Sequence, residues 1–171
     1  MASDGAVEGT RTYPITVLGD ADAGEILTLQ RAACVTEAQA HRDVNLPPLT
    51  QTFEQLRAEL SDPDVTALGV RERGRPIAAV RLRRTGTSVE LSRLNVVPDR
   101  QGQGLGTFLL HVSESAFADA DEITLFTGEH SVANMRLYRR VGYVETGRTD
   151  LGDYSLVHFV KTLVQTKSPE A

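Results

Sequence analysis

The residues from Gln101 to Gly106 are the first candidates for chemistry in this chain. They read Gln-Gly-Gln-Gly-Leu-Gly and follow an apolar run that stops at Pro98. A helical pattern starts at Gly104, so the glycines stand at the beginning of a helix. The first turn of a helix has unpaired backbone N–H groups and the positive end of the peptide dipoles, and glycine lets an anion approach them closely. The stretch therefore predicts an anion site, with a diphosphate as the natural ligand.

Glycine spacing separates the known kinds of phosphate-binding loop. The loop that ends in Gly-Lys-Ser/Thr is excluded, because Gly106 is followed directly by Thr107. The dinucleotide pattern G-x-G-x-x-G is also excluded, since Thr107 and Leu109 stand where its last glycine would be needed. What remains is Gln-x-x-Gly-x-Gly, formed by Gln101, Gly104 and Gly106. A glycine-rich turn without a ligand is the alternative.

A second polar pair lies further along the chain, on a helix predicted from Ser131 to Val141. Asn134 and Tyr138 are one helical turn apart, so both side chains can face one ligand. Gly142 follows the last helical residue, as glycine commonly does at helix ends. The alternative is an exposed asparagine and a tyrosine in the core.

Together the two stretches resemble the signature of the GCN5-related N-acetyltransferases. The second stretch matches Asn-x-x-x-Tyr-x-x-x-Gly-Phe/Tyr, and it follows the glycine loop after one helix and one strand, as in that family. The similarity is clear from Leu91 to Tyr143. It implies direct transfer of acetyl from acetyl-CoA, without a metal, to a primary amine of a small molecule or protein. The alternative is an acyl-CoA-binding regulatory or interaction domain that lacks catalysis.

The resemblance also implies a role for each matching position. The diphosphate would rest on backbone N–H groups of the glycine loop, and the pantetheine arm would lie beside the strand that precedes it. Asn134 would bond the arm, and Tyr138 would protonate the leaving thiolate. The cofactor-binding residues implied in this way are Leu94, Asn95, Val96, Val97, Gln101, Gly102, Gln103, Gly104, Leu105, Gly106, Thr107, Asn134 and Tyr138.

The acceptor amine must lose a proton before it can attack a thioester, which requires a general base. Glu90, on the strand leading into the glycine loop, resembles in its position the catalytic glutamate of the histone-acetylating branch. A solvated structural carboxylate is the alternative for Glu90, since Thr87 and Ser88 place it near the start of the strand. His130 is a second candidate, and water is a third.

Two further groups of residues remain open. Arg136, Arg139 and Arg140 could meet the cofactor's phosphates, but a solvated helix face explains them equally well. In the family, the acceptor pocket is usually shaped by the first two helices, their loop and the last hairpin. These correspond to His41–Thr52 and Arg148–Tyr154, and neither stretch identifies the acceptor.

Periodicity and turn residues predict the order β-α-α-β-β-β-α-β-α-β-β. The fold class is α/β (α+β), with a mixed, mostly antiparallel central sheet flanked by helices. We expect a loop at His41–Pro48, since paired prolines cannot continue a helix. The predicted strands are Thr12–Leu18, Val65–Arg71, Pro76–Arg83, Ser88–Val97, Ile123–Thr127, Tyr143–Thr146 and Ser155–Leu163.

Length and composition limit the remaining possibilities. The 171 residues are enough for one domain, expected over residues 11–165, with a flexible leader at 1–10 and a flexible tail at 166–171. A net charge of −5 without a basic cluster gives no support for nucleic-acid binding. Without a signal peptide or membrane segment, we expect a cytoplasmic protein. Cys34 is the only cysteine and is expected in the core, and a homodimer is a further possibility.

Overall fold

A computed structural model describes residues 12–164, so the predicted leader at 1–10 and tail at 166–171 lie outside the described residues. The chain forms one mixed sheet with helices packed against it. The strands are β1 (Ile15–Leu18), β2 (Val65–Glu72), β3 (Arg75–Thr85), β4 (Ser88–Val96), β5 (Glu122–Gly128), β6 (Val144–Asp150) and β7 (Ser155–Thr162). The helices are α1 (Ala23–His41), α2 (Pro47–Thr50), α3 (Phe53–Leu60), α4 (Leu105–Ala116) and α5 (Val132–Val141).

The sheet order is β1-β2-β3-β4-β5-β7-β6, and every neighbouring pair is antiparallel except β4 and β5. The predicted fold class is therefore confirmed. Adjacent residues on β3 show which helices cover each face. Arg83 pairs with Asp62 after α3, whereas Arg84 pairs with Asp119 after α4. Because neighbouring side chains on a strand point to opposite faces, α3 and α4 lie on opposite sides of the sheet.

Three elements differ from their predicted form, the first being β1, which begins at Ile15 rather than at Thr12. The stretch His41–Pro48 was expected as a loop, but α1 ends at His41 and a short helix, α2, already begins at Pro47. Proline is compatible with the first turn of a helix, where its missing N–H has no partner to lose. β6 also continues beyond Thr146 to Asp150, because β7 pairs with it along its length.

The parallel pair β4–β5 is short. It joins Ser88 to Glu122, Val89 to Ile123 and Glu90 to Thr124, and no pairing is recorded beyond Glu90 among the described residues. β4 nevertheless continues to Val96 and β5 to Gly128. The two strands therefore separate near the middle of the sheet, and residues 91–96 of β4 turn an unpaired backbone edge toward the gap.

A β-bulge in β4 lies at this separation. From Ala79 to Arg81 the pairing advances two residues on β3, whereas from Asn95 to Ser92 it advances three on β4. Within the extra stretch, Arg93 has a φ of +52°, which is unusual for a residue with a side chain. A bulge bends its strand and increases the local twist, which helps to direct β4 away from β5.

A buried arginine, Arg81 on β3, connects the sheet to α1 and α3. Its side chain is 3% exposed. Its Nε lies 3.0 Å from Glu59 Oε1 of α3, and its Nη2 donates to Gln30 Oε1 of α1 at 2.8 Å. Gln30 Nε2 in turn donates to the Pro48 carbonyl at 2.8 Å, so the network also fixes α2. Burial lowers the pKa of Arg81 to about 10, with Glu59 opposing the shift, so the guanidinium is charged at neutral pH.

We predict that Arg81→Leu lowers the free energy of unfolding by about 3 kcal/mol, because it leaves Gln30 and Glu59 without their buried cation. Urea denaturation of the purified protein measures this change. Arg83→Leu is the matched control, since its pair with Asp62 is exposed and its loss should have little effect. Equal stability of Arg81→Leu and the wild-type protein would contradict the prediction.

Candidate active site

The glycine loop before α4 has the geometry of an anion site. Gly102 and Gly104 have φ values of +73° and +84°, and an added Cβ would meet nothing within 4 Å at either position. Gly104 is the residue before the first turn of α4, and its carbonyl accepts from Phe108 N–H. Among the described residues, the N–H groups of residues 102–107 have no hydrogen-bond acceptor. Several donors at one helix N-terminus therefore face open space.

Side chains hold this loop against the end of β4. Gln101 Nε2 donates to the Val96 carbonyl at 3.0 Å, so its side chain supports the loop while its backbone faces outward. Two ion pairs flank it, Arg75 with Asp99 and Arg100 with Glu72. The loop is thus held in shape before any ligand binds.

Gly106 has a different role from the other two glycines. An added Cβ there would lie 3.1 Å from Leu137 Cδ2 of α5, which is closer than side chains ordinarily pack. Gly106 therefore permits the close approach of α4 and α5, which brings the polar residues of α5 toward the loop.

An outer cavity of about 550 Å³ opens beside the loop. Among the predicted cofactor-binding residues, most line it, whereas Val97, Gln103 and Tyr138 do not. The Val97 N–H is already used by the Ile77 carbonyl, and Gln103 is exposed. Arg100 and Arg140 add positive charge to this cavity, whereas Arg136 and Arg139 do not line it. The predicted residues in its wall are Leu94, Asn95, Val96, Gln101, Gly102, Gly104, Leu105, Gly106, Thr107 and Asn134.

A second, inner cavity of about 230 Å³ continues from the first. Glu37, Leu94, Asn95 and Asn134 line both, so the two form one groove that follows the unpaired edge of β4. The two stretches expected to shape the acceptor pocket meet here, since Tyr154 Oη donates to Asp43 Oδ2 at 3.2 Å. The remaining wall is mainly apolar and includes Leu46, Pro47, Pro48, Phe126, Leu151 and Leu156.

Glu37 of α1 is the carboxylate at the junction of the two cavities, and the sequence did not single it out. Its Oε1 accepts from Asn134 Nδ2 at 2.6 Å and from Ser131 Oγ at 3.0 Å. No cationic side chain of the described chain lies within ion-pair distance of it. Asn134, predicted to contact the cofactor, thus also orients this carboxylate. In the sequence, the feature that could have indicated Glu37 was its position on the helix face that carries Cys34 and His41.

Tyr138 lies in the wall of the inner cavity and is 6% exposed. Burial, together with the negative charge of Glu37, raises the pKa of its phenol well above the ordinary value. The hydroxyl is therefore protonated over the whole physiological range and can act as a proton donor.

The histidines near the groove hold it together. His41 is buried, its Nδ1 donates to the Glu37 carbonyl at 2.9 Å, and its Nε2 accepts from the His130 N–H at 3.2 Å. Both ring nitrogens are thus engaged in joining α1 to the turn after β5. His130 is exposed and lines the outer cavity. An added Cβ at Gly128 would collide with the His41 ring, so glycine is required beneath it.

The sequence offered Glu90 as the first candidate for the general base. Glu90 is exposed, lies opposite Arg83 in the paired part of β4, and lines neither cavity. The structure therefore does not bring Glu90 together with Tyr138.

Cys34 is buried in the inner wall, as expected, and burial followed by the charge of Glu37 raises its pKa to about 11. A thiol that stays protonated at neutral pH is a poor nucleophile.

The family follows from a comparison of the sequence with protein-family models. Residues 36–159 match the model described as Acetyltransferase (GNAT) domain. The chain belongs to this family. It is an acyl-CoA-dependent N-acetyltransferase, and acetyl-CoA is its co-substrate. No curated protein matches the sequence significantly.

Solved structures show the same fold at low identity. The ribosomal-protein-S18-alanine N-acetyltransferase of Escherichia coli has a TM-score of 0.75 at 15% identity, covering 94% of this chain and 99% of that one. The PaiA N-acetyltransferase of Thermoplasma acidophilum, in complex with coenzyme A, has a TM-score of 0.72 at 18% identity, covering 86% and 98%. An acetyltransferase of Thermus thermophilus has a TM-score of 0.71 at 17% identity, covering 90% of this chain and 98% of that one.

The residues of the outer cavity fit the co-substrate. Unpaired N–H groups beside open glycines suit a diphosphate, and Arg100 and Arg140 add charge of the right sign. The free edge of β4 can pair with the amides of an extended arm. Over residues 12–164, no cluster of His, Cys, Asp and Glu could hold a metal ion, and no helix is long and apolar enough to cross a membrane.

We predict that Gly104→Ala weakens coenzyme A binding about tenfold, because the Cβ strains a positive φ and displaces the N–H groups of the loop. Gly86→Ala is the matched control, since Gly86 also has a positive φ of +61° with open space around it, but lies in the β3–β4 turn. Calorimetric titration measures both affinities. Equal affinities in the two variants would exclude the loop as the diphosphate site.

Proposed function

We propose that this acetyltransferase transfers the acetyl group directly to the primary amine of a small molecule bound in the inner cavity. Acetyl-CoA, when bound, supplies an acyl group activated as a thioester. The observation that supports the proposal is the meeting of the two cavities at Glu37, beside Tyr138. A carboxylate and a protonated phenol on one groove are the base and the acid that aminolysis of a thioester requires.

The roles follow from the position and charge of each group. The amine nitrogen forms a bond to the acetyl carbon as the carbon–sulfur bond breaks. Glu37 receives the proton that the amine loses, directly or through water, and Tyr138 Oη gives a proton to the leaving sulfur. The backbone N–H of Val96, on the free edge of β4, stabilises the developing oxyanion.

Glu37 is preferred to Glu90 as the base because of its surroundings. Ser131 and Asn134 hold one of its oxygens, which leaves the other free to accept a proton. Glu90, by contrast, is exposed and does not line the groove. His41 is unsuitable since both of its ring nitrogens already have partners.

We predict that Tyr138→Phe lowers kcat on the order of 10²-fold while coenzyme A affinity stays within about twofold, because only the proton donor is lost. Release of free coenzyme A and calorimetric titration measure the two quantities. Tyr143→Phe is the control, since the Tyr143 hydroxyl is buried, has no hydrogen-bond partner among the residues that the structure describes, and lines neither cavity. An unchanged kcat for Tyr138→Phe would exclude Tyr138 as the acid.

We also predict that Glu37→Gln lowers kcat on the order of 10²-fold, because glutamine keeps the oxygen that accepts from Ser131 and Asn134 but removes the base. The defect should shrink as the pH rises toward the pKa of the acceptor amine, since solution then supplies the neutral amine. The same pH series with Glu90→Gln decides between the two carboxylates. A larger loss in Glu90→Gln would identify Glu90 as the base, and acetyl-CoA binding without turnover in the wild-type protein would favour a regulatory domain.

A further inference from the structure

Arg93 is a positively charged side chain in the acceptor part of the groove that the roles above leave unexplained. It lines the inner cavity but not the outer one. Its guanidinium is therefore separated from the diphosphate site, where Arg100 and Arg140 already provide the positive charge. Any anion that it binds in the groove belongs to the acceptor side.

Arg93 differs from the other sheltered arginines in having no carboxylate partner. Each of the others has a carboxylate oxygen within 3.0 Å, whereas none lies within 4.0 Å of Arg93 in the described part of the chain. Its Nε is buried and makes no hydrogen bond. The other described arginines that are not exposed are Arg71, Arg81, Arg84 and Arg100.

An unpaired guanidinium in a sheltered cavity is unfavourable unless a bound anion forms hydrogen bonds with it. Removing a cation from water costs free energy, and the interaction with a bound anion offsets this cost. The backbone adds a second cost, since Arg93 is held at a φ of +52° in the bulge of β4. Strain and missing partners at one residue are typical of a binding site.

The inner cavity pairs this cation with one carboxylate. Glu37, Arg93 and Cys34 line the same cavity, and both charges act on the thiol: after burial, the charge of Glu37 raises the pKa of Cys34 and that of Arg93 lowers it. The two charges do not form an ion pair with each other, as no contact within 4.0 Å joins them. The cavity thus offers separate sites for a positive and a negative group.

We propose, building on the function proposed above, that the acceptor is a free amino acid with an apolar side chain, whose carboxylate is bound by Arg93. The planar guanidinium suits a carboxylate because both can form two parallel hydrogen bonds. The amine lies toward Glu37 and Tyr138, and the side chain packs against the apolar wall of Leu46, Phe126 and Leu156. A cavity of about 230 Å³ is of the size such a molecule needs.

The test compares amines that differ only in the carboxylate. Leucine, leucinamide and 3-methylbutylamine share one apolar body, and phenylalanine, phenylalaninamide and phenethylamine form a second set. Release of coenzyme A gives kcat/KM for each, and mass spectrometry identifies the N-acetylated product. We expect the free amino acid of at least one set to exceed its amide and its amine at least tenfold.

Variants link this preference to Arg93. In Arg93→Met, KM for the amino acid should rise at least tenfold, while kcat/KM for the amine without a carboxylate stays within twofold. In Arg93→Lys, KM for the amino acid should lie between the values of the wild-type protein and Arg93→Met, because lysine keeps the charge but loses the paired hydrogen bonds. Arg73→Met is the matched control, as Arg73 has the same φ of +52° in the exposed β2–β3 turn. Thermal melting checks that each variant is folded.

The outcomes separate the two proposals. Equal use of amines with and without a carboxylate, or a preference that survives Arg93→Met, overturns the assignment of Arg93 but leaves the transferase function standing. Binding of acetyl-CoA without transfer to any amine contradicts the proposed function, and the assignment with it. Should Arg93→Met fail to fold, the lysine variant and the wild-type comparison still decide the question.

Discussion

The separation of β4 from β5 after Glu90 is the constraint on which the rest of the structure depends. Two strands paired along their whole length would leave neither a cleft nor a free main-chain edge in the middle of the sheet. Here only three residue pairs join them, and the bulge at Arg93 turns β4 aside. Buried backbone groups must find partners, so an edge left open inside the fold favours a ligand that supplies amides of its own.

One carboxylate links the two halves of the resulting groove. Glu37 extends from α1 to the start of α5, where Ser131 and Asn134 bind it. The position of α1 is in turn set by the buried Arg81 network and by His41, which joins the helix to the turn after β5. The site is therefore assembled by long-range contacts between elements that are individually ordinary. A shift of α1 would alter the outer and the inner cavity together.

The charges of the groove are divided in a way that the overall composition does not suggest. The chain carries a net charge of −5, yet the outer cavity has Arg100 and Arg140 at its wall. Among the described residues, the inner cavity contains one cation and one carboxylate, Arg93 and Glu37, that do not neutralise each other. Unpaired charges in a sheltered space are costly to maintain, and both groups are held there by defined structural features, a bulge and a pair of hydrogen bonds.

The sequence by itself predicted the glycine loop and the start of α4, because both depend on contiguous residues. The glycine loop and the helix start lie within a few residues of Gln101, and backbone conformation follows there from local residue types. The order of the helices and strands could be predicted for the same reason, apart from helix α2, which begins with two prolines, and the length of β6. Only the tertiary structure decided the make-up of the inner cavity. Glu37 and Arg93 are far apart in the chain, and no local pattern indicates which charged side chains a separated strand pair and a bulge will bring into one cavity.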